Sequence, residues 1–240
     1  MHVVTCIKQV PDTAQVKIDP ETNTLIRSGV ESICNPYDLV ATEEAVRLVQ
    51  KYGGRVTVIS MGPPQAVEAL RECLSLGASE AVLLSDRAFA GADTLATSYT
   101  LSRAISKIGE EEPVDLIICG KQAIDGDTAQ TGPGIATWLD YNQLTYVTEI
   151  VSLEDGAITV RREIEGGSEI IRAKLPAVLT VELELASPRY ASLPEMVRSL
   201  RQEVKVWGAK EIEAAPERLG LKGSPTSVRR IFAPPVRGGG

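Results

Sequence analysis

The chain has one histidine, His2, and it stands next to the first residue. A histidine-based catalytic triad or metal site therefore has no second partner to be built from. Four cysteines occur, Cys6, Cys34, Cys73 and Cys119, far apart and without a CxxC pair. Zinc and iron–sulfur ligation are unsupported, and each thiol sits in or beside an apolar run, so buried free thiols are expected. No run of 18 apolar residues appears, so no membrane-spanning helix is expected. The opening MHVVTCIKQV is interrupted too early to serve as a signal peptide, and a cytoplasmic location is expected. Basic charge is also short: 25 Lys and Arg against 32 Asp and Glu leave a net charge of −7. That argues against a sequence-independent grip on nucleic acid. The pairs Arg161-Arg162 and Arg229-Arg230 are too small to reverse it.

What is present is an ordinary soluble composition, 43% hydrophobic and 24% charged over 240 residues, enough for one large α/β domain with an appended arm. Over residues 1–185, apolar runs alternate with amphipathic stretches. Strands are expected at Val3–Ile7, Val56–Met61, Ala81–Leu84, Val114–Cys119 and Ala177–Leu183. Helices are expected after Asn35 with Asn35 or Asp38 as cap, over Ala66–Leu76, over Ala92–Ile108 with Leu95, Ala96, Tyr99, Ile105 and Ile108 inward, and over Thr128–Leu139. Gln15–Gly29 reads as a small surface hairpin. Val147–Val151, Ile158–Glu163 and Glu169–Ala173 read as antiparallel strands, with turns at Glu154-Asp155-Gly156 and Gly166-Gly167. The β-α alternation predicts a doubly wound, mainly parallel, Rossmann-like sheet with right-handed crossovers, and an added antiparallel hairpin. Residues 1–185 form the nucleotide-binding domain in this reading. Residues 186–240, richer in Pro, Arg and Lys, form an extended arm that lies on a partner.

In such a sheet, ligands bind beyond the carboxyl ends of the strands. The segments that follow the strands are Lys8-Gln9-Val10, Asn35-Pro36-Tyr37-Asp38, Met61-Gly62-Pro63, Gly91-Ala92-Asp93-Thr94 and the loop 120–133, GKQAIDGDTAQTGP. That loop is neither a Walker A nor a GxGxxG sequence, yet a buried strand, a Gly/Asp turn and a helix start are the parts of a phosphate cradle. Gly120 and Gly126 permit close backbone approach. Thr128, Gln130 and Thr131 offer donors to a pyrophosphate or ribose. Asp125 and Asp127 repel phosphate, and turn formation or capping of the next helix suits at least one of them better. Thr94 and Thr97 share a helix face and could meet a planar ring, or Asp93-Thr94 could be a simple helix cap.

The segments CIKQVPD (6–12), NPYD with EEAVRL (35–48), GKQAIDGDTAQTGP (120–133), REIEGG (162–167), LPAVLTVEL (175–183) and PRYASLP (188–194) together resemble the beta subunit of electron transfer flavoprotein. They span almost the whole chain in the family's order. The resemblance implies a heterodimer with a homologous alpha subunit. In one branch of that family the beta subunit holds a structural AMP; in the other it holds a second FAD, takes a hydride from NADH and bifurcates the electrons. One electron then goes to ferredoxin or flavodoxin, the other through the alpha-subunit FAD to an acyl-CoA dehydrogenase or quinone pathway. GDTAQTGP and GADTLATSYTL (91–101) resemble the second branch, with AMP in place of FAD as the alternative.

By position, the resemblance implies cofactor contacts at Cys6 and Lys8, at Asn35, Pro36, Tyr37 and Asp38, and at Met61. It implies others at Asp93, Thr94 and Thr97, and at Gly120, Lys121, Gln122, Ala123, Asp125, Gly126, Asp127, Thr128, Gln130 and Thr131. It implies partner docking through Arg189, Tyr190, Leu193, Pro194 and Met196, with Leu193 as the exposed anchor. The family's pattern continues with a C-terminal helix that wraps the partner, whereas this sequence ends at Arg237-Gly238-Gly239-Gly240, which leaves arm-mediated docking open. Outside this family, an ATP-binding stress or signalling module is the alternative, and the arm and REIEGG argue against it. An ATP pyrophosphatase would want an SGG-type loop where Lys8-Gln9-Val10-Pro11 stands.

Overall fold

A computed structural model describes residues 1–12, 17, 18, 25, 26 and 32–227. The elements in chain order are β1 (His2–Cys6), β2 (Gln9–Pro11), β3 (Lys17–Ile18), β4 (Leu25–Ile26), β5 (Ser32–Cys34), α1 (Pro36–Tyr52), β6 (Arg55–Met61), α2 (Val67–Ser75), β7 (Glu80–Leu84), α3 (Thr94–Glu111), β8 (Leu116–Gly120), α4 (Thr131–Leu139), β9 (Asn142–Glu154), β10 (Ala157–Ile164), β11 (Gly167–Lys174), β12 (Ala177–Val181), α5 (Leu193–Arg201), β13 (Val204–Trp207) and α6 (Gly220–Gly223). The main sheet has nine strands in the order β11-β10-β9-β12-β8-β1-β6-β7-β13. From β9 to β13 each neighbour runs parallel, and β9, β10 and β11 form an antiparallel meander. The doubly wound α/β expectation is met. Of the expected surface hairpin at Gln15–Gly29, the pairing of β3 with β4 is described; its remaining residues lie outside the described ones, as do Arg229-Arg230 and the glycine terminus.

The strands alternate sides with period two, as pleated chain must. Val3 of β1 and Leu116 and Ile118 of β8 pack with α1 and α2 in one core layer. Val4 and Cys6 of β1 and Ile117 and Cys119 of β8 pack with α3 and α4 in the other. Burial of both sheet faces is why these strands read as continuous apolar runs. Each fully buried Leu or Ile contributes roughly 1.5–3 kcal/mol. All four cysteines are buried and free, as expected. The hairpin turns fall where the glycines predicted, with Asp155 and Gly156 both at positive φ and Gly166 at φ 81°, the conformation that tight hairpins select.

Three details depart from the sequence reading. Helix α4 begins at Thr131 and not near Thr128, because Asp127 and Ala129 adopt left-handed backbone, φ 50° and 52°, which a helix cannot contain. Leu95 is 46% exposed and does not join the inward face of α3. The polar segment after Ala186 follows this chain's own surface over its described part: β13 pairs in parallel with β7 and forms the sheet edge. The preceding helix is pinned by Arg71, which donates to the Ser199 carbonyl, and by Arg198, which donates to the Leu74 carbonyl.

Candidate functional site

The sheet winds outward from β1 in two directions, to β6, β7 and β13 on one side and to β8 and β12 on the other. The loops that leave the carboxyl ends of β1 and β8 therefore run to opposite sides, and this is the position at which doubly wound sheets place a ligand crevice. Cys6 and Cys119 are the last paired residues of the two strands. Lys8 follows on one side and the loop 120–130 on the other.

The first turn of α1 closes the floor of this crevice. Asn35 is fully buried. Its Nδ2 donates to the Gln122 carbonyl (2.9 Å) and its Oδ1 accepts from the Ile124 N–H (3.1 Å), while its own N–H reaches the Lys8 carbonyl (2.9 Å). Asn35 occupies the N-cap position of α1 without capping through its side chain; the loop after β8 has taken both polar ends. Asp38 accepts from the Lys8 N–H through Oδ2 (2.8 Å) and from the Gly120 N–H through Oδ1 (3.1 Å). Burial pushes the Asp38 carboxyl up to about 7, against the lowering pull of Asn35, the two N–H groups and the Lys8 charge. Gly120 is required here: a Cβ would lie 2.4 Å from Asp38 Oδ1 and 2.5 Å from Tyr37 Cβ.

The rest of the loop divides in character. Lys8 Nζ bridges the crevice mouth to both oxygens of Asp125 (2.7 and 2.8 Å), and Gln122 Nε2 donates to Asp127 Oδ1 (2.8 Å). The expected capping of α4 by one of these aspartates does not occur, since Gln130 holds the N-cap position and no side chain caps it. The first-turn N–H groups of Thr131 and Gly132 thus have no intrahelical partner, Pro133 has none to offer, and the positive end of α4 faces the crevice rim. At Gly126 a Cβ would meet open space and φ is not left-handed, so nothing in the chain itself demands glycine there. Gly132 and Gly134 are tight instead: their Cβ atoms would lie 2.3 Å from Thr180 Cγ2 and 2.6 Å from Ser98 Oγ. Those contacts seat the start of α4 on β12 and α3.

Helix α3 enters from the far side of the rim. Asp93 caps it, accepting from the Leu95 and Ala96 N–H groups (3.0 and 3.1 Å), so the cap reading of this residue stands. Thr94 Oγ1 donates to Gln130 Oε1 (3.0 Å), which ties the threonine face of α3 to the start of α4. Met61, at the end of β6, is half-buried.

Sequence reasoning missed several neighbours of these groups. Ser224 Oγ accepts from the Asp93 N–H (2.8 Å), and Thr226 donates to Asp93 Oδ2 through N–H and Oγ1 (3.1 and 2.8 Å). Burial raises the Asp93 carboxyl, but these donors and the capped N–H groups outweigh it and hold it below the ordinary aspartate value. Arg218 lies over the rings of Tyr99 and Trp138 (5.5 and 5.1 Å) and anchors the same segment. No local motif signals these contacts, which join positions 80 or more residues apart. Glu182 is the other omission: it pairs with Lys121 Nζ at 2.8 Å, and its Oε1 is buried with no partner. The Lys121 ammonium is thus committed to Glu182 and lies over the rings of Tyr37 and Tyr146 (5.4 and 5.7 Å). Burial lowers the affinity of Lys121 for its proton, and Glu182 with the two tyrosines reverses this to a net rise.

The segment 188–200 sits apart from the crevice. Arg189 is committed internally: its Nε and Nη2 donate to Glu43 (2.8 and 3.1 Å), whose side chain is 2% exposed. Burial raises the Glu43 carboxyl, and Arg189 and Arg47 bring it below the ordinary value. Tyr190, by contrast, is 100% exposed and Leu193 73%, and Met196, Val197 and Leu200 continue the apolar strip along α5. A groove of about 540 Å³ beside it is lined by Pro194, Val197, Arg198, Arg201 and Gln202; it belongs to this exposed apolar strip and not to the crevice between β1 and β8. Among the described residues no cluster of His, Cys, Asp and Glu could hold a metal ion, and no helix is long and apolar enough to cross a membrane.

Comparison with known proteins adds the family. Residues 22–212 match the electron transfer flavoprotein domain. The chain is 55% identical to Protein FixA of Azotobacter vinelandii over 241 residues, covering 99% of this chain and 85% of that one. It is 52% identical to Protein FixA of Rhizobium meliloti (strain 1021), covering 99% and 82%. It is 51% identical to the electron transfer flavoprotein subunit beta of Clostridium acetobutylicum, covering 100% and 91%.

Proposed function

The chain belongs to the electron transfer flavoprotein family, on the beta-subunit side, and from that premise we propose that it binds FAD in the crevice between β1 and β8 and passes electrons from NADH onward within a heterodimer with an alpha subunit. In this reading the complex bifurcates: one electron goes to ferredoxin or flavodoxin, and the other goes through the alpha subunit to an acyl-CoA dehydrogenase or quinone pathway. A flavin bound there supplies the hydride-accepting and one-electron-donating chemistry. The chain's own part is to bind, orient and keep distances short. The unpartnered N–H groups of Thr131 and Gly132 suit a phosphate. The exposed side chains of Thr128 and Gln130 suit the neighbouring polar groups of the nucleotide. The bare rim at Gly120 and the seated start of α4 give the cradle its shape.

The observation that carries FAD over AMP is the hydrogen bond from Thr94 to Gln130. It sets Thr94 of α3 beside Gln130 at the start of α4, and in this reading a ligand longer than a mononucleotide would extend from the phosphate end toward Thr94 and Thr97. The apolar strip of Tyr190, Leu193 and Met196 serves as the dehydrogenase-docking face. The nucleotide content of the purified heterodimer tests the proposal. Two FAD per heterodimer, with bleaching of the visible flavin bands on addition of NADH, is the expected result. One FAD with one AMP would replace it with the non-bifurcating reading, in which electrons arrive from acyl-CoA dehydrogenases.

A further inference from the structure

We propose that Asp38 is a positioning residue: its carboxylate clamps the tips of β1 and β8 at the separation an adenine nucleotide needs, and protonation of that clamp is coupled to nucleotide binding. The inference rests on the reading that such a nucleotide occupies this crevice. Beyond Cys6 and Cys119 the two strands no longer pair with each other, although Gly120 still pairs with Val181 of β12 and the Ile7 N–H with the Ile59 carbonyl of β6. Asp38 supplies the missing join, with one oxygen on each tip at 2.8 and 3.1 Å. An ionised carboxylate is acceptor-only, so both of its near oxygens are spent on the chain and it has no donor for a phosphate. It acts on the ligand through the backbone it holds. The clamp has no slack on the β8 side, because even a methyl group on Gly120 would come within 2.4 Å of Oδ1.

The coupling follows from hydrogen-bond capacity. The groups that face Asp38 are the Lys8 ammonium just beyond β1, the Cys6 thiol from β1, the Cys34 thiol from β5, the Gly120 N–H from β8 and Asn35 from its own turn. Lys8 is the one cation among them, and it is engaged with Asp125. Protonation turns one of the two accepting oxygens into a donor, which cannot accept from an N–H, so one of the two tips is released. By reciprocity, a nucleotide that needs the clamped tips favours the ionised carboxylate. Nucleotide binding near neutral pH gives up a proton, and retention weakens as pH falls.

The test uses the heterodimer and follows release of its adenine nucleotide between pH 6 and 8.5, with thermal unfolding as the check on folding. The wild type should release its nucleotide several-fold faster at the acid end, where Asp38 is protonated. Asp38→Asn removes both the charge and one acceptor, and should release roughly tenfold faster with a flat pH profile, the size of one lost charge-assisted hydrogen bond. Gly120→Ala keeps the carboxylate but displaces it from the Gly120 N–H, and should release as fast as Asp38→Asn. An unchanged rate and profile in Asp38→Asn overturns the proposal. So does Gly120→Ala behaving as wild type while Asp38→Asn does not, since Asp38 would then touch the ligand itself. If neither variant folds, calorimetry of nucleotide rebinding to the wild type in two buffers of different ionisation heat decides: proton release near pH 7 supports the clamp and its absence overturns it. A wild-type heterodimer with no adenine nucleotide is a separate result, and it removes the functional reading itself.

Discussion

The two halves of the loop after β8 are continuous chain and physical opposites. Residues 120–125 are bound down on every side: Gly120 to Asp38, Lys121 to the Val181 carbonyl and to Glu182, Gln122 and Ile124 to Asn35, Asp125 to Lys8. Residues 126–131 have fewer ties, Asp127 to Gln122 and Gln130 to Thr94, and carry two left-handed non-glycine residues, exposed side chains at Thr128 and Gln130 and a helix start without a side-chain cap. Polar groups spent on the chain make a scaffold, and polar groups left free make a ligand surface. The positions for which the resemblance implies cofactor contacts fall in both halves, so in the proposed reading a residue can matter to the nucleotide without contacting it.

Substitutions should separate the two halves, and the scaffold half should respond more strongly. Asn35→Ala leaves the buried Gln122 carbonyl and Ile124 N–H without partners and should cost about 2–4 kcal/mol in denaturant unfolding. A loss below about 0.5 kcal/mol would mean that the loop finds other partners. Asp38 bears on the pH slope. Its carboxyl is raised from 3.8 to about 7 in the folded chain, so the folded state holds the proton more firmly. That contribution is full below the unfolded value and is lost as pH rises through the folded one. Thermal stability of the wild type should therefore fall between pH 5 and 8 relative to Asp38→Asn, by roughly 1–4 kcal/mol. Parallel curves would deny the burial effect.

The free half should respond weakly in stability. Ala129→Gly relieves a left-handed alanine and should stabilise by about 0.5–1 kcal/mol; a loss would show that packing of the Ala129 methyl outweighs backbone strain. Gln130→Ala should leave unfolding within about 0.5 kcal/mol while it weakens nucleotide retention by about 0.5–1.5 kcal/mol. The reverse pattern would move Gln130 into the scaffold.

Much of this was legible in the sequence for identifiable reasons. Buried parallel strands are near-continuous apolar runs, and hairpin turns announce themselves with glycine at positive φ. The gathering of Lys8, Asn35–Asp38 and 120–131 at one edge follows from topology. The division of labour within that edge was not legible, because it depends on which polar atoms are already paired. Asn35 looks like a helix cap until Gln122 and Ile124 are seen to occupy its side chain, and the pairing of Lys121 with Glu182 has no sign in the sequence. The start of α4 was misplaced because Ala129 gives no local sign of a left-handed backbone. The clasp of Ser224 and Thr226 on Asp93 joins remote positions, and no motif encodes it.

Amide hydrogen exchange across the loop, with and without the adenine nucleotide in the heterodimer, tests the division most directly. The N–H groups of Thr128, Gln130, Thr131 and Gly132 should lose protection when the nucleotide is removed, while those of Gly120 and Ile124, held by Asp38 and Asn35, should change little. Equal loss along 120–132, or loss confined to Gly120 and Ile124, would contradict the account.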